Sequence, residues 1–414
     1  MKLKRNQQGS HHILIPMAVI IVATVGFAGW RVYQRHGSGG ADKGTSDILN
    51  SDASPEEKAI QAGKKLSDGR CEGSGETTFT HLPMDADDFS LLIPYGLMVG
   101  DHVTPIDHQY FQPTVFRSAK DTYPVYAMAD SQITGIEVHP PENGSNGRIR
   151  MVFTVSCTFF YYYDLVTSVE PGIDQAHLPI SVKAGQLIGH IGGQTLDFAV
   201  WNTKKPLKGF INPASYDSEP WKIYTDNPFP YYTPELRKIV ESKNPRVVEP
   251  VEGKIDYDVD GKLIGNWFDQ STKGYTGRGE GVDPHYSATH LAFAPDLFDP
   301  SNFIVSIGSL LDQTDNSSDA QHMTLTNSPN PADVSVDTGL VKYDLVPWTY
   351  LEPNGGGWDR MSVVKNVKAK RLSDVYGCAI AQLTDTRTLK FEVIVGKQCS
   401  GINSFGSSVK IYTR

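Results

Sequence analysis

One stretch near the N-terminus constrains this chain more than any other feature of its sequence. Residues 13–30, ILIPMAVIIVATVGFAGW, are 18 consecutive positions without a formal charge. At about 1.5 Å of rise per helical residue they would span about 27 Å, which is close to the hydrocarbon thickness of a bilayer. The sequence therefore predicts one transmembrane helix, with nearly all of the chain on one side of a membrane.

The flanking charges indicate the orientation of this helix. Lys2, Lys4 and Arg5 precede it, which favours a short basic tail, 1–12, on the cytoplasmic side, although Arg31 follows it directly. We therefore expect a single-pass protein of the plasma membrane whose bulk is extracytoplasmic. A cleaved signal peptide is the alternative, and it would export the same residues.

Beyond this helix the composition favours strands and turns. The chain contains 38 Gly and 26 Pro, with many Val, Thr, Ile and Tyr, so we predict a mainly β fold. The formal net charge of −9 argues against a nucleic-acid partner. The predicted order is a flexible linker (31–54), a short helix (55–69), a β domain (70–217), a connector with a helix at 233–242 (218–244), and a second β domain, barrel or sandwich (245–414).

Four cysteines lie in the predicted exported part, two in each half. An even number of cysteines outside the cytosol predicts disulfides. Cys378 and Cys399 would close a short loop, and Cys71 and Cys157 a long one. Buried free thiols are the alternative. No pair has the CxxC spacing of a zinc or redox site.

Five segments between residues 100 and 216 carry a family resemblance. In order they are HVTPIDH (102–108), VYAMADSQITGI (125–136), FFYYYDLV (159–166), VKAGQLIGHIGG (182–193) and TLDFAVWN (195–202). Their order and spacing resemble the lysostaphin-type (LytM-like) zinc endopeptidases of bacterial cell walls. The resemblance implies a β-sandwich of the duplicated-hybrid-motif type in this part of the chain.

The resemblance also implies where a metal would bind. The family holds zinc with a His, an Asp and the second His of an H-x-H strand, and other histidines beside the metal assist the reaction. Here Asp107 matches the aspartate, His102 lies one position upstream of the usual histidine, and Asp197 replaces the second His. The predicted metal set is thus His102, Asp107 and Asp197, and a possible groove would be formed by Asp164, Thr195 and His108.

These positions argue against catalysis by the family's mechanism. Asp164 and Thr195 stand where the family has histidines, so the groups that move protons near neutral pH are lost. Oxygen ligands also shift metal preference away from zinc. Since neighbouring side chains on a strand point to opposite faces, we expect His102, and not His108, to accompany Asp107.

Three functions remain open on the sequence. The favoured one is a non-catalytic envelope protein, without a cofactor, that binds a cell-wall component such as peptidoglycan or a protein partner. The second is a peptidoglycan endopeptidase that uses zinc or another divalent metal at the altered His/Asp/Asp site. The third is an architectural surface protein.

Two further patterns lie outside the segments that carry the resemblance or concern its aromatic residues. Asp256, Asp258 and Asp260 form a D-x-D-x-D-G run that could open a calcium loop, but the twelfth position lacks the required acid, so we predict a hairpin over 253–268. The tyrosines at 161–163 and the set of Trp267, Trp348 and Trp358 could stack on sugars where they are exposed, but such residues more often belong to a core or its rim.

Overall fold

A computed structural model describes residues 53–140, 147–278, 286–311 and 319–414. Within these ranges the chain is mainly β, as predicted, with two α-helices and several short 3-10 turns. The basic tail, the predicted membrane helix and most of the linker lie outside the described residues. Among the residues that are described, no helix has both the length and the apolar character needed to cross a bilayer.

Both predicted helices form, and each begins at a capping residue. Helix α1 covers Pro55–Leu66, and the Ser54 hydroxyl accepts a hydrogen bond from the Glu57 amide while the Glu57 carboxylate accepts one from the Ser54 amide. Helix α2 covers Pro234–Ser242 and is capped by Thr233. These caps satisfy amides that lack a partner inside the helix.

The first β domain contains two antiparallel sheets. Its strands are β1 (Phe89–Ile93), β2 (Gln109–Pro113), β3 (Tyr123–Tyr126), β4 (Ser131–His139), β5 (Arg148–Ser156), β6 (Phe159–Val166), β7 (Ser168–Val169), β8 (Ile180–Val182), β9 (Leu187–Ile191), β10 (Leu196–Asn202) and β11 (Thr225–Asp226). The larger sheet has the order β1-β2-β10-β6-β5-β4-β8, with β11 also paired to β10, and the smaller sheet has the order β3-β9-β7.

The two sheets enclose one hydrophobic core, which makes this domain a β-sandwich. Val125 and Ile188 of the smaller sheet pack in the same cluster as Phe153 and Phe198 of the larger sheet. The tyrosines at 161–163 are core residues and not exposed rings, because all three are buried. Alternating side chains of β6 enter packed layers on both faces of the larger sheet, so neither face leaves these rings free for a sugar.

The second β domain is a closed antiparallel barrel. It is formed by β12 (Gly265–Asp269), β13 (His290–Pro295), β14 (Phe303–Ile307), β15 (Gln321–Thr324), β16 (Val341–Val346), β19 (Gly377–Asp385), β20 (Thr388–Val395) and β21 (Lys410–Thr413). A separate hairpin consists of β17 (Trp348–Leu351) and β18 (Lys368–Arg371). Of the two predicted architectures, barrel or sandwich, the structure has the barrel, and large side chains such as Trp267 and Phe391 fill its interior.

The hairpin predicted over 253–268 does not form. Residues 254–259 are not a strand, and β12 begins only at Gly265, where it pairs with β13 and β21. The three aspartates have separate partners instead: Asp256 contacts Lys254, Asp258 contacts Arg414, and Asp260 contacts Arg387. Two of these three contacts come from distant parts of the chain, so local alternation could not reveal them.

Both predicted disulfides form. Cys71–Cys157 connects the segment after α1 to the turn between β5 and β6, and Cys378–Cys399 ties β19 to the turn before β21. The described residues contain no free cysteine.

The barrel and the connector cover the outer face of the larger sheet. Tyr162 and Trp201 of that sheet share a cluster with Phe268 and Tyr275 of the second domain. A second mixed cluster joins β1 and β2 to the bend after β13 and to the region of the β17–β18 hairpin. The sequence positions predicted for metal binding lie beside this junction.

Candidate functional site

The predicted site residues converge on one small cavity between the larger sheet, the connector and the barrel. His102, Asp107, His108, Asp164, Thr195 and Asp197 all line it. The register of the sheet explains the convergence, because Asp197 on β10 lies directly opposite Asp164 on β6 and Tyr110 on β2. The cavity volume is about 80 Å³, whereas ligand sites usually measure about 300–1,000 Å³.

The Asp107 carboxylate is held by groups of the chain itself. A 3-10 turn of the connector, Pro220–Tyr224, places Lys222 Nζ 2.9 Å from Asp107 Oδ1, and the Trp221 indole N–H donates to Oδ2 at 3.1 Å. Asp107 and Lys222 are only 4% and 6% exposed. Burial alone would raise the pKa of the Asp107 carboxyl, but the Lys222 ammonium and His108 outweigh it and hold that pKa far below its usual range.

Lys222 also contacts a second carboxylate and an aromatic ring. Its Nζ lies 2.9 Å from Glu219 Oε2 and 4.6 Å from the centre of the Tyr275 ring. Burial would lower the pKa of the Lys222 ammonium, but Asp107 and Glu219 more than compensate and raise it. The ammonium therefore remains charged at every physiological pH.

Asp164 is neutralised by two arginines on the neighbouring strand. Arg148 Nη1 and Arg150 Nη2 lie 3.2 and 2.8 Å from Asp164 Oδ2, and the Leu165 amide donates to Oδ1 at 2.7 Å. Burial acts to raise the pKa of Asp164, yet the two guanidinium groups lower it overall. Asp164 stands where the lysostaphin-type family has a histidine, and here it is a carboxylate held in place by ion pairs.

Asp197 and His108 contact one another inside the cavity. His108 Nε2 lies 3.4 Å from Asp197 Oδ2, and His108 Nδ1 lies 3.3 Å from Asp107 Oδ1. The Thr195 hydroxyl donates to Asp197 Oδ1 at 3.4 Å. Burial, opposed by the charge of His108 and reinforced by Asp164, raises the pKa of the Asp197 carboxyl to about 7.

The expectation that Asp107 and His108 point in opposite directions is wrong. Both side chains line the cavity and contact one another. The alternation rule applies within a strand, and β2 begins only at Gln109, so these two residues belong to the irregular lead-in.

His102 lies at the edge of the same cavity and contacts a tyrosine. Its Nε2 is 3.3 Å from the Tyr110 hydroxyl, and its ring is 5.5 Å from that of His108. Burial lowers the pKa of His102 strongly, and the charges of His108 and Lys222 lower it further. His102 is therefore a neutral imidazole.

These residues do not fit a divalent metal in the arrangement that the structure shows. An ammonium and an indole N–H already take the two oxygens of Asp107, and Asp197 Oδ2 faces His108. Across the described ranges, no three His, Cys, Asp or Glu side chains are grouped so that they could hold a metal ion. The metal set of His102, Asp107 and Asp197 stays a prediction that this geometry does not favour.

Sequence reasoning missed the cations of this cavity. The sequence does give a signal for Arg148 and Arg150. Alternate residues of one strand share a face, and both arginines lie on the strand that precedes Asp164 of β6. Lys222 and Trp221 carried no comparable signal. Trp221 is 114 residues from its partner Asp107, and only the fold brings the connector to it.

No protein-family model matches this chain, and no curated protein matches it. Among solved structures, a zinc-containing peptidase from Vibrio cholerae has a TM-score of 0.24 and 20% identity over 32% of this chain and 39% of that chain. Csd3 of Helicobacter pylori has a TM-score of 0.24 and 16% identity, covering 40% of each chain. Lysostaphin has a TM-score of 0.25 and 11% identity, covering 82% of this chain and 92% of that chain.

The first two similarities span about two fifths of those solved chains. The weak structural neighbours of this chain thus include a zinc peptidase and lysostaphin.

Proposed function

We propose that this chain is a membrane-tethered envelope protein whose peptidase-like sandwich is non-hydrolytic and binds a cell-wall component or a protein partner. The observation that carries the proposal is the occupation of Asp107 by Lys222 and Trp221. Both oxygens of this carboxylate already contact groups of the chain, so a metal that activates water would have to displace the Lys222 ammonium from it.

The size and the surroundings of the cavity support the same proposal. Its volume of about 80 Å³ is too small for a peptide cross-link together with an attacking water. The connector and the barrel close the face of the sheet over which a substrate would otherwise lie. Binding would therefore use the outer surfaces of the two domains.

The proposed location rests on two features. The uncharged stretch 13–30 is long enough for a bilayer, and the two disulfides are of the kind that persists outside the cytosol. We propose a cytoplasmic N-terminus with the two β domains on the extracytoplasmic side.

The test compares hydrolysis with binding in one experiment. The full-length protein in detergent is incubated with purified peptidoglycan sacculi, and the supernatant is assayed by mass spectrometry for released muropeptides while the pellet is assayed for bound protein. We expect retention without release, unchanged by Asp107→Ala. Release of muropeptides that Asp107→Ala abolishes would refute the proposal in favour of a metal-dependent endopeptidase.

An architectural role is the second candidate, and the junction between the domains favours it. The mixed clusters around Tyr162 and around Tyr110 bury aromatic side chains from both domains, as a rigid spacer would require. This role predicts neither retention on sacculi nor release of muropeptides, so the same experiment separates it from wall binding.

A further inference from the structure

Lys222 occupies an unusual place in the molecule, because its charged end lies where three separate regions meet. Its Nζ contacts Asp107 from the lead-in to β2, Glu219 from its own turn, and the ring of Tyr275 from the barrel side. The Tyr275 hydroxyl in turn contacts that of Tyr286 at 3.3 Å. A single cation thus joins the sandwich, the connector and the barrel.

The carboxylates around this cation need a positive charge to remain buried. Four carboxylates line the cavity, Asp107, Asp164, Asp197 and Glu219, together with three permanent cations, Arg148, Arg150 and Lys222. Both arginines are directed at Asp164, so Lys222 is the permanent cation that remains for Asp107. A buried carboxylate without a counter-charge is strongly unfavourable.

We infer that Lys222 is the fixed counter-ion of this cavity and supplies from within the chain the positive charge that a divalent metal would supply at Asp107. This inference deepens the proposed non-hydrolytic function and rests on it. It assigns Lys222 a positioning role: the ammonium holds the connector turn and the barrel against the sheet, and it makes this arrangement independent of metal.

The test replaces the ammonium while keeping the length of the side chain. In Lys222→Met, Asp107 and Glu219 lose their cation, and we expect the thermal midpoint of the full-length protein to fall by about 5–10 °C. Removing the buried charge as well, in Lys222→Met with Asp107→Asn, should restore most of that loss. Lys183→Met is the matched control, because Lys183 lies 2.8 Å from Asp130 in an ion pair whose side chains are 80% and 63% exposed, and such pairs contribute little.

Added metal gives the second readout. Zinc or EDTA should leave the thermal midpoint of the wild-type protein unchanged, because the Lys222 ammonium already supplies the positive charge at Asp107. Two results would overturn the inference: a Lys222→Met protein as stable as wild type, or a wild-type protein that zinc stabilises. If Lys222→Met does not fold, the wild-type titration still decides.

These outcomes are separate from those of the proposed function. Equal stability of wild type and Lys222→Met would refute the counter-ion and leave the absence of hydrolysis to be judged on sacculi. Muropeptide release by the wild-type protein would refute the proposed function whatever the variants show.

Discussion

Replacing Asp197 by asparagine should change how the stability of this protein depends on pH. Burial raises the pKa of the Asp197 carboxyl from 3.8 to about 7. Between these two values the folded protein keeps a proton that the unfolded chain has released, so the free energy of unfolding falls as the pH rises from about 4 to about 7. Above pH 7 both states have lost the proton, and the loss of stability stays constant.

The size of this effect follows from the shift. A difference of about 3 pKa units at about 1.4 kcal/mol per unit gives a loss of about 4 kcal/mol above pH 7. The groups that face Asp197 are His108 from the lead-in to β2, Asp164 on β6, and Arg148 and Arg150 on β5. Because an asparagine side chain cannot ionise, Asp197→Asn should match wild type near pH 4 and be more stable by up to about 4 kcal/mol at pH 8.

The assay is urea unfolding of both proteins at pH 4, 5.5, 7 and 8.5, followed by tryptophan fluorescence. Asp130→Asn is the control, because Asp130 is an exposed carboxylate whose pKa is lowered by the hydrogen bond from Lys183, and this variant should not gain stability at high pH. An Asp197→Asn protein that differs from wild type by the same amount at all four pH values would refute the reasoning.

Three further changes test one ion pair at the site and two contacts elsewhere in the fold. Arg150→Met should lower the free energy of unfolding by about 3–5 kcal/mol, because it removes one of the two cations that neutralise buried Asp164; urea unfolding measures it, and a loss below about 1 kcal/mol would contradict it. Replacing both Cys378 and Cys399 by serine should lower the free energy of unfolding by about 3 kcal/mol, since that disulfide joins residues 21 positions apart; an unchanged free energy of unfolding would contradict this. Gly63→Ala should loosen α1, because the new Cβ would lie 1.6 Å from the Cys157 carbonyl oxygen; faster amide exchange confined to α1 is expected, and unchanged exchange would argue against it.

Local signals in the sequence predict the parts of this fold that local interactions determine. The Ser-Pro-Glu-Glu start of α1 and the Thr-Pro start of α2 indicate both helices, because capping involves residues that are neighbours in the chain. The Cys378–Cys399 disulfide closes a short loop of the same kind, whereas Cys71 and Cys157 are 86 residues apart and only their place in one domain indicated the pair. The segment 253–264 was not predictable in this way, since Asp258 is held by Arg414 at the far end of the chain.

The candidate site shows the same contrast between residues that the sequence indicates and contacts that only the fold creates. The resemblance indicated three candidate metal residues and three groove residues, and in the structure all six line one cavity, where the pairing of β10 with β6 brings Asp197 and Asp164 together. It could not supply Lys222, because the connector lies outside the segments that carry the resemblance. The positive charge beside Asp107 therefore comes from the 3-10 turn Pro220–Tyr224, which no sequence pattern predicted.

Metal analysis of the purified full-length protein tests the central claim most directly. The protein is equilibrated with one equivalent of zinc, separated from free metal on a desalting column and analysed by elemental mass spectrometry, with Asp107→Ala treated in parallel. Because Lys222 and Trp221 occupy the Asp107 carboxylate, we expect well under one zinc per chain and no difference between the two proteins. One zinc per wild-type chain, lost in Asp107→Ala, would contradict the account.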